Sequence, residues 1–90
     1  MRSSECTRNG EVLLAEEHVY FGGMNLTYQL LVLTGESMNR YRIRVIKGDE
    51  IEAAELGTDL LVAVRCYRTI VQGTVTPCAL QDVMQELQYA

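Results

Sequence analysis

The C-terminal run from Thr76 to Leu87 carries the strongest structural signal in this chain, because it has the pattern of a complete amphipathic helix with its start. Thr76 is a good N-cap residue, since its hydroxyl can accept a hydrogen bond from an unpaired N–H of the first turn. Pro77 follows at the first helical position, where its missing N–H costs nothing. Apolar residues then recur at the spacing of one helical face, at Leu80, Val83, Met84 and Leu87. Such a helix docks on a platform that the rest of the chain must supply.

Four upstream segments have the composition of β-strands and are bounded by glycine or other turn residues. We predict strands over residues 11–21, 26–33, 40–47 and 50–56, with a bulge at Glu16-Glu17 where the alternation in the first strand breaks. The third strand has the clearest period of two, with Tyr41, Ile43 and Val45 on one face and arginines on the other.

A two-residue turn at Gly48-Asp49 predicts the register of the last hairpin. The predicted pairs are Lys47 with Glu50, Ile46 with Ile51, Val45 with Glu52, Arg42 with Glu55, and Tyr41 with Leu56.

After residue 57 the apolar period changes to that of a helix. We predict that Thr58 or Asp59 caps a helix that runs to about Gln72, and that Gly73 ends it in the left-handed conformation. Its inner stripe is predicted to contain Leu60, Val64, Tyr67 and Val71, widened by Leu61, Ala63 and Ile70. This helix is therefore expected to be more deeply buried than the last one.

Four strands followed by two helices predict an α+β fold, a four-stranded and mainly antiparallel meander with both helices on one face. Ninety residues suffice for one modest core, so we expect a loose segment over residues 1–10 and a single domain over residues 11–90. The predicted core consists of Tyr28, Leu30, Tyr41, Ile43, Val45, Leu60, Val64, Tyr67, Val71, Leu80, Val83 and Leu87.

The composition predicts a cytoplasmic protein without a membrane span. The N-terminus lacks the apolar stretch of a secretory signal, and a net charge of −4 argues mildly against non-specific binding to nucleic acid or anionic membranes. The three cysteines, Cys6, Cys66 and Cys78, are far apart and odd in number. We therefore favour free buried thiols over a metal site, and predict neither a metal nor a cofactor.

The best candidate for a binding surface is the basic cluster of Arg40, Arg42, Arg44 and Lys47, half of the eight basic residues in the chain. Three guanidinium groups on one strand face could grip phosphate or carboxylate. The favoured interpretation is a solvated face that Glu52 and Glu55 neutralise from the next strand. That face has no interleaved aromatic residues on which bases could stack.

Two other residues, His18 and Cys78, are candidates for catalytic or metal-binding chemistry. His18 is the only histidine and has no neighbours of a catalytic or metal-binding pattern, so we predict an exposed or edge-strand residue. Cys78 falls in the first turn of the last helix, where a thiol can become reactive, but a small residue packed at the helix base is the favoured interpretation. No catalytic residues are predicted, and the chain is expected not to be an enzyme.

Several short segments together resemble a family of small uncharacterised bacterial proteins, a domain of unknown function common in Gram-positive anaerobes. The matching segments are 28–31, 41–45, 51–55 before an aspartate-led helix, 75–77 and 80–83. The chain departs from the family pattern at Arg42, where a glycine is frequent, and at Gln88-Tyr89, where the last helix usually ends in acidic residues. The resemblance spans about residues 11–88 and implies a compact, cytosolic, stand-alone domain, without an activity or functional residues to transfer.

The sequence leaves several functional hypotheses open. The first is a non-enzymatic interaction module that presents a sheet face or edge to a protein partner. The alternative is anion or nucleic-acid binding by the basic cluster, and the third is thiol chemistry at Cys78.

We also expect a homodimer, because the first two strands carry apolar residues on both faces, among them Leu13, Leu31 and Leu33. The alternative is that residues 3–10 fold back over the second face, for which Glu5, Arg8 and Asn9 are poorly suited.

Overall fold

The computed structural model describes residues 10–35 and 38–89, which form a four-stranded sheet followed by two helices. The strands are β1 (Glu11–Phe21), β2 (Met24–Leu33), β3 (Arg40–Lys47) and β4 (Glu50–Gly57). The helices are α1 (Leu60–Gln72) and α2 (Leu80–Tyr89), and a short 3-10 turn (Pro77–Ala79) precedes α2. Sequential strands pair antiparallel in the order β1-β2-β3-β4, so the predicted α+β meander is confirmed. Residues 1–9, with Cys6 and most of the predicted loose segment, lie outside the described residues.

The core lies between one face of the sheet and the two helices. Strand alternation directs Tyr28, Leu30 and Val32 of β2 toward the helices, beside Ile43 and Val45 of β3. The helices contribute buried side chains from Ala63, Tyr67, Ile70, Leu80 and Met84. The predicted core residues Val64, Val71, Val83 and Leu87 are partly buried against this cluster.

A bulge at Leu14 decides which residues of β1 face the core. Leu13 pairs with Leu31 and Ala15 pairs with Leu30, so Leu14 has no opposite residue. The extra residue reverses the alternation, which brings Val19 opposite Leu26 on the core side. The sequence prediction of a bulge at Glu16-Glu17 was therefore wrong by two residues.

The β3–β4 hairpin has the predicted register over most of its length. The pairs of Lys47 with Glu50, Ile46 with Ile51, Val45 with Glu52, and Arg42 with Glu55 are confirmed. The pair of Tyr41 with Leu56 is wrong, because a register shift places Tyr41 opposite Gly57. Gly57 can end the strand here because it tolerates a φ of 88°.

Of the two caps predicted for helix α1, Thr58 and Asp59, the structure has Asp59, whose carboxylate accepts hydrogen bonds from the backbone N–H groups of Leu61 and Val62. The buried face of α1 is rotated from the predicted stripe, because Ala63, Tyr67 and Ile70 point inward while Leu60 is 47% exposed. The prediction that α1 is the more deeply buried helix was therefore wrong at its N-terminal end.

The end of α1 has a Schellman arrangement with threonine in the position that usually holds glycine. The N–H of Thr74 donates to the carbonyl of Val71 at 3.1 Å, and the N–H of Val75 donates to the carbonyl of Ile70 at 3.2 Å. Thr74 has a φ of 48°, whereas Gly73 has an ordinary φ of −84°. The prediction that Gly73 takes the left-handed conformation was wrong by one residue.

The start of the last helix is tighter than predicted. Thr76 is extended and its side chain makes no capping hydrogen bond, while its carbonyl accepts from the N–H of Ala79 at 3.1 Å. Pro77 is buried at the start of the 3-10 turn, and the α-helical part begins only at Leu80. The docking role of the helix is nevertheless clear, since Leu80 is fully buried.

Two tyrosine hydroxyls connect the helical layer with the sheet. Tyr67 of α1 donates to the backbone carbonyl of Tyr28 at 3.2 Å, and Tyr28 donates to the carbonyl of Val75 at 2.9 Å. Burial raises the pKa of Tyr67 to about 12, with a further contribution from the negative charges of Glu17 and Glu16. Burial also raises the pKa of Tyr28. Both hydroxyls therefore stay protonated and able to donate at physiological pH.

Replacing Leu80 by alanine is expected to lower the free energy of unfolding by about 2–5 kcal/mol, because it opens a cavity beneath α2. Urea unfolding followed by circular dichroism measures the change. Leu61→Ala is the matched control, since Leu61 is 76% exposed and its truncation should change stability by no more than about 0.5 kcal/mol. Equal effects of the two substitutions would contradict the packing described for α2.

Replacing Thr74 by glycine is expected to stabilise the protein by about 1 kcal/mol, because glycine adopts a positive φ without the steric cost of a Cβ. The shift in the urea midpoint measures this gain. Thr74→Ala retains the Cβ and should not reproduce it. A loss of stability in Thr74→Gly would show that the threonine side chain contributes more than its backbone strain costs.

Candidate functional site

Three of the four predicted binding residues share the outer face of the sheet, the face turned away from the helices. Arg40, Arg42 and Arg44 alternate along β3 with the buried Tyr41, Ile43 and Val45, and we call the outer set the arginine face. Lys47 does not belong to it. Lys47 lies two residues after Val45 and therefore on the same face of the sheet. It is opposite Leu26, on the helix side.

Two glutamates, one on β4 and one on β1, form ion pairs with Arg42 and Arg44 of the arginine face. Arg42 donates to Glu55 of β4 from its Nε at 3.2 Å and from a terminal nitrogen at 2.8 Å. Glu11 of β1 lies 3.8 Å from Arg42 and 3.6 Å from Arg44, so it bridges both guanidinium groups. The ion-paired interpretation thus has a geometric basis with Glu11 and Glu55 as the acids.

Glu52 does not take part in this network, contrary to the sequence interpretation. It lies opposite Val45 on the helix side of the sheet and accepts a hydrogen bond from the Gln81 side chain at 3.1 Å. Lys47 is also engaged, since its ammonium lies 3.8 Å from Glu50 across the hairpin turn.

Arg44 is poorly placed to bind a ligand. Its Nε is buried and has no hydrogen-bond partner among the described residues, and only 30% of its side chain is exposed. On the same outer face of the sheet, Leu31 of β2 lies opposite Arg42 and is only 1% exposed. The apolar surplus from which we predicted a homodimer is therefore largely covered at Leu31 within one chain, and the homodimer stays a prediction.

The free edge of β4 is partly blocked. Hydrogen-bonded and non-hydrogen-bonded pairs alternate along the β3–β4 hairpin from its turn, and Ala53 belongs to a non-hydrogen-bonded pair. Its carbonyl therefore points away from β3, toward the free edge of the sheet. The Gln81 side chain of α2 donates to that carbonyl at 3.2 Å. An additional strand would have to displace Gln81 to pair there.

The remaining candidate groups do not assemble into a reactive site. His18 lies on the edge strand β1 with 71% of its side chain exposed, which confirms the prediction, and its Nδ1 is 3.1 Å from the Thr27 hydroxyl. Cys78 is exposed in the 3-10 turn and Cys66 is only half-buried, so the prediction of buried thiols was wrong for both. Among residues 10–35 and 38–89, no three histidine, cysteine or acidic side chains lie close enough to hold a metal ion.

An uncovered apolar surface lies on α1, on residues that do not face the sheet. Seven residues line one shallow depression there, which we call the α1 strip: Leu60, Leu61, Val64, Arg65, Arg68, Thr69 and Gln72. Leu61 is 76% exposed and Leu60 is 47% exposed, while Val64 is half-buried. Arg65 and Arg68 are exposed and form no ion pair within the described part of the chain.

Sequence reasoning missed the α1 strip although the signal was present. Residues 60–64 are all apolar, which is more than one helical face can bury. Such a run predicts deep burial of the helix. In the structure the helix lies on one face of the sheet, and the side of α1 turned away from the sheet stays in contact with solvent.

Comparison of the chain with protein-family models, with curated proteins and with solved structures finds no match. The resemblance to a family of small bacterial proteins therefore stays a prediction. In the described part of the chain, neither helix has the length and apolarity required to cross a membrane.

Replacing Glu11 by glutamine is expected to lower the free energy of unfolding by about 1 kcal/mol at low salt, because two ion pairs of a residue with 16% side-chain exposure are lost. The loss should shrink in about 1 M NaCl, where the Debye length falls to about 3 Å. Urea unfolding at both salt concentrations measures it. Glu86→Gln on the exposed side of α2 is the control and should leave stability unchanged. A salt-independent loss would mean that Glu11 acts through packing.

Proposed function

We propose that this protein is a non-enzymatic interaction module that binds a protein partner through the α1 strip. The observation that carries the proposal is the 76% exposure of Leu61 within a helix that begins with five consecutive apolar residues. Exposed apolar surface next to polar residues is typical of sites that bind other proteins. The sequence hypothesis named a sheet face or edge, and the structure favours a helical surface instead.

The sheet offers less to a partner than the helix does. On the arginine face, Arg42 and Arg44 already have carboxylate partners at 2.8–3.8 Å. At the β4 edge, Gln81 occupies an outward carbonyl. A ligand at either surface must break contacts within the chain, whereas a ligand at the α1 strip displaces only solvent from Leu61.

Anion or nucleic-acid binding by Arg40, Arg42, Arg44 and Lys47 is the weaker proposal. Lys47 lies on the opposite side of the sheet from the three arginines. Such binding would have to overcome the charges of Glu11 and Glu55, and it would weaken steeply with salt.

A cytoplasmic location and the absence of catalysis are parts of the same proposal. Cys66 and Cys78 are free thiols, which are typical of proteins from reducing compartments. Thiol chemistry at Cys78 is the weakest alternative, because the described surface near it is lined by the carboxylates of Asp49, Glu50 and Glu52 and holds no histidine that could pair with the thiol.

Capture from native lysate at low salt tests the proposed function. We expect the tagged protein to recover a protein partner, and we expect Leu61→Ser to abolish that recovery. Tyr20→Ser is the matched control, because Tyr20 is 72% exposed and lies on the edge strand β1, outside the α1 strip. Recovery of no partner, or equal recovery with Leu61→Ser, would contradict the proposal.

A further inference from the structure

We infer that the α1 strip binds an acidic amphipathic helix, a partner segment with one apolar stripe flanked by aspartate or glutamate. This inference rests on the proposed function and specifies the chemistry of the partner at the same surface. Three properties of the strip support it: its shape, the position of its apolar residues and its unbalanced charge.

The shape of the strip favours a helix. Its residues form two neighbouring rows with a spacing of four, Leu60-Val64-Arg68-Gln72 and Leu61-Arg65-Thr69. Rows of this spacing form ridges on a helix surface, and the groove between two ridges accepts the matching ridge of another helix. An added strand would instead require unpaired backbone groups, which the middle of a helix does not provide.

The apolar residues occupy the N-terminal half of the strip. Leu60, Leu61 and Val64 lie within the first five residues of α1 and are exposed or half-exposed. Burying an exposed leucine at an interface is favourable because apolar surface is removed from water. These three side chains are therefore suited to anchor the apolar stripe of a partner.

The charge of the strip selects the polar residues of that partner. Arg65 and Arg68 lie in the C-terminal half, and none of the seven residues is acidic. Elsewhere in the described part of the chain, Arg42, Arg44 and Lys47 are each within 3.8 Å of a carboxylate, while Arg40 is exposed without an ion pair among the described residues. Glu17 of β1 lines a separate small depression beside the strip, together with Arg68 and Gln72. The strip itself carries two positive charges and no negative one on a protein with a net charge of −4, and acidic side chains of a partner complement them.

A second copy of this chain fits the strip less well. A two-fold interface brings the same surface of both copies together. Arg65 and Arg68 of both copies would then share one interface without an acidic residue on either strip, and like charges in an interface are unfavourable.

Fluorescence anisotropy with two synthetic helical peptides tests the inference. Both peptides carry the same leucine stripe, and one is flanked by glutamate while the other is flanked by lysine. We expect the glutamate peptide to bind about tenfold tighter or more at low salt. Arg65→Glu/Arg68→Glu should reverse the preference. Leu61→Ser should weaken binding of the glutamate peptide by about tenfold.

The charge control is Arg40→Glu, which makes the same change as one of the two strip substitutions but on the arginine face. It should leave the preference between the peptides intact, whereas Arg68→Glu alone should reduce it. Equal affinity for the two peptides, no binding of either one, or equal effects of Arg40→Glu and Arg68→Glu would overturn the inference.

The outcomes separate the inference from the proposed function. If neither peptide binds but Leu61→Ser still abolishes partner capture, the strip is an interaction site whose partner is not an acidic helix. Light scattering provides the second check. A species of twice the 10.1 kDa chain mass that Leu61→Ser converts to monomer would show that a second copy covers the strip and would also overturn the inference.

Discussion

The hydrogen bonds of two buried tyrosines fix how the helical layer sits on the sheet. Tyr67 donates to the backbone of β2, and Tyr28 donates from β2 to the loop between the helices. A hydrophobic core alone is non-directional and would allow α1 to rotate or slide. These hydroxyls are directional, and an unmet hydroxyl in the core is costly. They therefore select the rotation of α1 that buries Ala63 and Ile70 and leaves Leu61 in contact with solvent.

The pairing register of the strands determines which charged side chains meet on the outer face of the sheet. The bulge at Leu14 lies between Glu11 and Glu16 and separates two groups of outward residues on β1. On one side of the bulge, Glu11 reaches the arginines of β3, and on the other side Glu16 accepts a hydrogen bond from Gln29 at 2.7 Å. The outer face thereby contains short-range contacts between strands, some of them across β2, since Glu11 of β1 reaches both Arg42 and Arg44 of β3. The charges of Arg42 and Arg44 are therefore balanced by specific ion pairs between side chains of this face.

The sequence was sufficient for the elements and their order, because capping residues and apolar periods are local signals. The bounds of β3 were predicted correctly, and the cap of α1 was predicted to be either Thr58 or Asp59, of which the structure has Asp59. Bulges and the rotation of α1 were not, since both depend on contacts between residues far apart in the chain. The Arg42–Glu55 pair could be predicted from a hairpin register, whereas the bridging role of Glu11 required the position of β1. The α1 strip was missed because an apolar run does not show how many of its sides are covered.

The contact of Gln81 with Ala53 joins the last helix to the edge of the sheet. The carbonyl that Gln81 occupies is free to pair with another chain whenever α2 detaches. Loss of the C-terminal helix therefore has two effects at once, because it uncovers the core beneath Leu80 and opens a template for intermolecular strand pairing. Fraying of α2 is expected to favour aggregation, because it exposes this edge of the sheet. Helix α2 thus both completes the core and hinders the addition of another strand at the β4 edge.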